Sequence, residues 1–147
     1  MEDSFSDESN FSVSHSDRKL LEGISFIVVD DNPINLTVAD KTLAKFGGVS
    51  FKCLTAEEGL KTFNSESVQL ILMDLHMPNI DGFEATKMIC ATQKYIDNPI
   101  PILAYTTYSL NDVKTEIESS GMIGYVGKPF THIQVVDIIL DAVGIHK

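Results

Sequence analysis

Nowhere does this sequence run apolar for long enough to span a bilayer, and its N-terminus lacks the charged-then-apolar order of a secretory signal. The two absences make a cytoplasmic protein the expectation, with a nuclear one as the variant, and they argue against a membrane partner. Cysteine is also scarce. Cys53 and Cys90 are the only two, and they show no metal-ligand spacing, so thiols are expected rather than a disulfide or a zinc site. Basic residues are few, 11 against 21 acidic ones, for a formal net charge of −10. That balance argues against direct nucleic-acid binding, which depends on clustered Lys and Arg facing phosphates.

What is present suits one domain, since 147 residues can bury a substantial core. Part of the acidity is local: Glu2, Asp3, Asp7, Glu8 and Asp17 occur before any Lys or Arg does. Residues 1–20 are therefore read as an acidic tail, rich in Ser, Asp and Glu as far as Asp17. Its few large apolar side chains, Phe5, Phe11 and Val13, bury too little to offset the entropy of ordering, so disorder is expected. The tail is either a solubilising leader or a segment with phosphorylatable serines. Residues 21–147 form the folded domain in this reading. Met1 and the leader favour a complete stand-alone protein over a piece of a longer one.

From Ile24 onward short apolar runs alternate with amphipathic segments. Strands are expected at Ile24–Asp30, Val49–Leu54, Val68–Asp74, Ile100–Thr106 and Ile123–Gly127. Their near-continuous apolar character suits a parallel sheet covered on both faces. Asn32-Pro33 offers an N-cap followed by proline at the first helical position, and Gly47-Gly48 ends that helix. Leu36, Ala39, Leu43 and Phe46 recur at helical spacing within it. Gly121 closes a shorter helix holding Val113 and Ile117. Thr131 begins a last helix in which Val135, Ile138, Ile139 and Val143 form the expected buried stripe. Five β/α repeats give an α/β fold of the flavodoxin-like type, a doubly wound five-stranded parallel sheet.

Open sheets of this kind carry their chemistry at the carboxyl ends of the strands. Four such ends hold polar groups: Asp30-Asp31, Asp74, Thr106 and Lys128. Asp30 and Asp31 precede a helix, where acids also serve as dipole partners, although Asn32 can cap in their place. Brought beside Asp74, they repel one another in a semi-enclosed site. Either one stays protonated or a divalent cation sits among them, and hard oxygen ligands suit Mg²⁺ or Mn²⁺. A threonine or lysine at a strand end is ordinarily structural or solvated. Together with a cation, however, Lys128 and Thr106 supply the point charge and hydroxyl that a phosphoryl group on Asp74 would need.

The segments Val28-Val29-Asp30-Asp31-Asn32, Leu72-Met73-Asp74-Leu75-His76-Met77-Pro78, Ala104-Tyr105-Thr106 and Gly127-Lys128-Pro129-Phe130 resemble the receiver domain of two-component response regulators. Asp30-Asp31-Asn32-Pro33-Ile34-Asn35 gives the match the flavour of phosphorelay and hybrid-kinase receivers. The resemblance implies that Asp74 accepts a phosphoryl group from a phosphohistidine on a sensor histidine kinase or histidine phosphotransfer protein. It implies Mg²⁺ (or Mn²⁺) held by Asp31, Asp74 and the backbone carbonyl of His76, with Asp30 holding a metal-bound water. Lys128 then neutralises charge on the transferring group, and Thr106 with Tyr125 forms the switch that reports it. Lys128-Pro129 resembles the family's cis-proline turn.

Some positions depart from the commonest pattern. Thr107 stands where a small alanine is frequent, and Tyr108 follows it. His76 is expected to supply only its carbonyl and to expose its ring, which lies near the pocket mouth. Ile34 and Val38 lie off the buried stripe, so they are either peripheral core or, with Pro129-Phe130, an apolar patch for a helical phosphotransfer domain. The output is expected through a downstream effector or onward phosphotransfer. An aspartate-nucleophile phosphatase of the haloacid-dehalogenase type is the enzymatic alternative. It requires a second aspartate where His76 stands and a cap domain for which the chain has no room. A degenerate, binding-only receiver is disfavoured by the intact Asp30, Asp31, Asp74, Thr106 and Lys128.

Overall fold

A computed structural model describes residues 19–128 and 134–144. The expected disorder of the tail before Lys19, the Lys128-Pro129 turn, the Pro129-Phe130 part of the apolar patch and the helix start at Thr131 lie outside the described residues. Among those described, Leu20 is partly buried against the core and Leu21 is fully buried.

Five strands form one parallel sheet in the order β2-β1-β3-β4-β5, with β1 at Ser25–Val29, β2 at Val49–Cys53, β3 at Leu70–Asp74, β4 at Ile102–Thr106 and β5 at Gly124–Gly127. The doubly wound architecture expected from the sequence is the one observed. Alternation along the buried strands splits the core in two. Phe26, Val28, Leu70, Leu72, Leu103 and Tyr105 face one layer, while Ile27, Val29, Ile71, Met73, Ile102 and Ala104 face the other. Side chains of period two on strands buried on both faces require helices on both sides. Helices α1 (Pro33–Lys45) and α6 (Gln134–Ala142) cover the first face; α2 (Ala56–Ser65), α3 (Gly82–Cys90) and α5 (Leu110–Ser120) cover the second.

The helix starts follow local chemistry. The Asn32 side chain accepts from the Ile34 N–H at 2.8 Å with Pro33 in the first turn, and Thr55 and Asp81 cap α2 and α3 in the same way. Leu36, Ala39, Leu43 and Phe46 are buried as the spacing requires. Gly121 ends α5 with φ +106°, a left-handed conformation that glycine adopts without steric cost.

The five β/α repeats hold, with one short helix added and two details to correct. The added helix, α4 (Gln93–Asp97), lies between α3 and β4. It is fastened by Lys94, whose Nζ donates to the Phe63 carbonyl at 2.5 Å and the Glu66 carbonyl at 2.6 Å, satisfying orphan acceptors at the end of α2. In α6, Val135, Val136, Ile139 and Leu140 are buried and Ile138 is 41% exposed. Residues 135, 136, 139 and 140 make the tighter stripe at 3.6 residues per turn, and Ile138 falls on its far side. Strand ends are also shorter than expected: β4 begins after Pro101, which has no N–H to give the ladder, and Ile123 precedes β5 and is 62% exposed.

One contact fixes the loop that follows Asp74. A Cβ built on Gly82 would lie 2.1 Å from the Asp74 carbonyl oxygen, and the Gly82 N–H donates to the Leu75 carbonyl at 3.1 Å. Only glycine lets α3 start this close to β3. Gly82→Ala is therefore expected to lower stability by about 1–3 kcal/mol, as forced backbone displacement does, in urea denaturation. A melt unchanged from wild type would show that the loop yields freely.

Among the described residues no helix is long and apolar enough to cross a membrane.

Candidate functional site

Register brings the four strand ends together. Val29 pairs with Met73, which sets Asp30 beside Asp74; Thr106 pairs with Gly127, which sets Lys128 one residue beyond. The Lys128 N–H also donates to the Thr106 carbonyl at 2.9 Å, holding the fifth strand end against the fourth.

Asp30 is fully buried. Its Oδ1 accepts from the Asn32 N–H at 2.9 Å and its Oδ2 from Lys128 Nζ at 2.6 Å. Asp74, 5% exposed, accepts from the same ammonium at 3.0 Å. Asp31 is exposed, yet it can offer an oxygen within 4.8 Å of those that Asp30 and Asp74 offer. Lys128 thus bonds two of three clustered acids, so repulsion among the carboxylates is only partly relieved. Burial pushes the Asp74 carboxyl above the ordinary carboxylate range, and the Asp30 charge adds to this. Bonds from Lys128 and the His76 N–H pull the other way without winning. A cluster of hard oxygen donors, with one member open to solvent, fits a small divalent cation that keeps several waters.

Thr106 is buried at the end of β4, and its Oγ1 accepts from the Tyr108 N–H at 3.1 Å. Tyr125, in β5, is half-buried, and its hydroxyl donates to the Tyr108 carbonyl at 2.5 Å. His76 is exposed, as expected, but its ring is not idle: it stacks on Tyr108 with centroids 4.3 Å apart and planes at 30°. Tyr108 is thereby held through its N–H, its carbonyl and its ring. Sequence reasoning noted it only as the residue after Thr107 and missed these ties, which depend on how a loop returns over the sheet. Tyr105 was also missed as a neighbour of the site. It is buried under Lys128, whose Nζ lies 4.8 Å from the ring centroid. Burial, with the charges of Asp30 and Asp74, pushes its hydroxyl well above the usual phenol range, so it stays protonated.

Around the pocket, Ile34 is 72% exposed and Val38 half-buried, so the first belongs to the surface and the second straddles it. Cys53 is buried and Cys90 half-buried, and both are free thiols. Burial raises the Cys53 thiol and makes it unreactive.

This arrangement has counterparts among known proteins. The chain is 34% identical over 147 residues to Probable histidine kinase 4 of Oryza sativa subsp. japonica, covering 85% of this chain and 14% of that protein. It is 32% identical over 123 residues to the Sensor protein GacS of Pseudomonas syringae pv. syringae, covering 81% and 13%. The chain thus spans about one seventh of the length of these curated relatives. Among solved structures it is similar to the receiver domain of the histidine kinase CKI1 from Arabidopsis thaliana complexed with Mg²⁺. That likeness has 28% identity and a TM-score of 0.73, and it covers 85% of this chain and 95% of the other. The family model of the response regulator receiver domain matches residues 26–140. With four strand-end motifs gathered at one end of a parallel sheet, the chain belongs to the response regulator receiver domain family, a family of signalling domains.

Proposed function

We propose that Asp74 is the phosphoacceptor of this receiver and that its phosphorylation is the signal the protein carries. The observation that most supports this is the shared ammonium: Lys128 Nζ lies 2.6 Å from Asp30 and 3.0 Å from Asp74, at a pocket where a hydroxyl, Thr106, ends the neighbouring strand. Asp74 Oδ attacks the phosphorus of a phosphohistidine. The P–N bond breaks, its electron pair returns to the imidazole nitrogen, and that nitrogen takes up a proton. Asp31, Asp74 and the His76 carbonyl would hold Mg²⁺ (or Mn²⁺), with Asp30 on a metal-bound water. The cation supplies charge neutralisation for the transferring group. Lys128 supplies the second positive charge from the protein itself.

The readout then lies in the chain's own bonds. A phosphoryl oxygen on Asp74 accepts from the Thr106 hydroxyl, and the turn that brings this donor to it draws Oγ1 away from the Tyr108 N–H. That loosens the loop whose carbonyl holds Tyr125, so Thr106 and Tyr125 act as the switch pair. His76 and Tyr108, stacked at the mouth, limit water access and so the domain's own dephosphorylation. The donor is a sensor histidine kinase or a histidine phosphotransfer protein, and exposed Ile34 beside the acidic pocket suits a helical face of such a partner. Output passes to a downstream effector or onward along the relay. The setting is cytoplasmic or nuclear, and the acidic chain is not expected to bind nucleic acid directly.

The test is direct labelling. Incubated with acetyl phosphate and Mg²⁺, the protein should gain one phosphoryl group by intact mass. Hydroxylamine should remove it as it cleaves acyl phosphates, and EDTA should prevent its formation. Continuous turnover of a phosphomonoester with no stable adduct would instead favour a phosphatase.

A further inference from the structure

The geometry points to Tyr105 as a positioning residue that holds Lys128 over the phosphorylation pocket through the face of its ring. This inference rests on the reading of Asp74 as acceptor and concerns a side chain that reading does not use. Lys128 ends a four-carbon stem with free rotation, and its partners Asp30 and Asp74 are the groups that a cation and an incoming phosphoryl group would engage. An ammonium held by those two alone would lose its anchors as the chemistry begins. The Tyr105 ring, 4.8 Å from Nζ, supplies a third attraction carrying no formal charge. Attraction to a ring face varies gently as the cation slides across it. Nζ can therefore move from the carboxylates toward a phosphoryl oxygen while keeping this contact.

The placement is a consequence of register and parity. Tyr105 pairs with Asp74 across β3 and β4, and it points into the layer beneath α1 and α6 with Leu36, Val126 and Val135. Its hydroxyl, at the far end of the ring, donates to the Asn35 carbonyl in α1 at 3.5 Å. The aromatic face is the functional part, and an aliphatic residue would fill the core without it.

Three substitutions at 105 separate the ring's electrostatics from its bulk: Tyr105→Phe, Tyr105→Leu, and a ring-fluorinated phenylalanine that keeps the shape while depleting the negative face. In metal-free protein, the Lys128 ε-protons should show an upfield ring-current shift in the wild type and in Tyr105→Phe, and lose it in Tyr105→Leu. At saturating Mg²⁺, labelling by acetyl phosphate should slow about 3- to 30-fold with leucine. It should slow with the fluorinated ring and recover with phenylalanine. Affinity for Mg²⁺, read by calorimetry, should change little. In a Lys128→Met background the leucine substitution should cost nothing further. A wild-type protein without the upfield shift, a fluorinated variant as fast as phenylalanine, or an undiminished leucine effect in Lys128→Met would each overturn the inference. Should Tyr105→Leu fail to fold, the fluorinated ring still decides. If no donor labels the wild type, the reading of Asp74 fails, while the ring-current result judges the Tyr105 contact by itself.

Discussion

Asp74→Asn will abolish phosphoryl uptake and at the same time raise the metal-free melting temperature at neutral pH. The two effects share one cause. Asp74 is 5% exposed, lies near Asp30 and Asp31 and shares the Lys128 ammonium with Asp30, and its carboxyl is pushed up chiefly by burial. A folded pKa above the unfolded value of 3.8 means the native chain binds this proton more tightly than the unfolded one does. Stability then falls as pH rises from the unfolded to the folded pKa, and the loss is complete above the latter. Asparagine keeps the shape and an acceptor oxygen for Lys128 without the charge, so its advantage should develop across that window and vanish below it. Mg²⁺ should reverse the order, stabilising the wild type through binding to the native state and the variant much less. Thermal melts at several pH values with and without Mg²⁺, beside the labelling assay, check both halves. Retained labelling would move the acceptor elsewhere. A variant less stable than wild type at neutral pH would show that the Lys128 bond outweighs desolvation.

Lys128→Met will be the most damaging single change to the fold and to transfer together. Methionine keeps much of the stem's packing and removes the ammonium that bonds both Asp30 and Asp74. Two buried carboxylates then face each other without a counter-charge. Removing one partner of a buried ion pair costs about 3–5 kcal/mol, and urea denaturation in EDTA at neutral pH should show a loss of that order. Acidification should narrow the deficit, because protonating the acids removes the uncompensated charge; added Mg²⁺ should narrow it for the same reason. Loss of a charge aimed at the transferring group slows such reactions by about 10²- to 10³-fold, so labelling should fall by that order even at saturating Mg²⁺. A variant as stable as wild type in EDTA would mean that water already solvates these acids. A variant labelled at the wild-type rate would show that the cation alone neutralises the transferring group.

Much of the site was legible because its members are strand-terminal. Once Ile24–Asp30, Val68–Asp74 and Ile100–Thr106 read as buried strands, Asp30, Asp74 and Thr106 fell at their carboxyl ends, and Lys128 followed by the same rule. Caps were equally local, since Asn32-Pro33 and Gly121 act within a few residues of themselves. What stayed hidden depends on contacts across the sheet. The stack of His76 on Tyr108 joins two loops from different strands. Lys94 capping α2 links residues 28 and 31 positions apart, from a helix with too few residues to leave a periodic signal. Ile138 was misplaced because several faces of a helix rich in Val and Ile look apolar in sequence, and only docking selects one.

The sequence by itself determined the doubly wound sheet and the acids, hydroxyl and lysine at its strand ends. These follow from apolar periodicity and from where a polar residue interrupts it. Tertiary structure decided that one ammonium serves both Asp30 and Asp74, that the Tyr105 ring lies beneath it, and that Tyr108 ties Thr106 to Tyr125. The physical reason is range. Periodicity and capping act over a few neighbouring residues, whereas an ion pair between residues 98 apart exists only after packing has fixed the register of every strand between them.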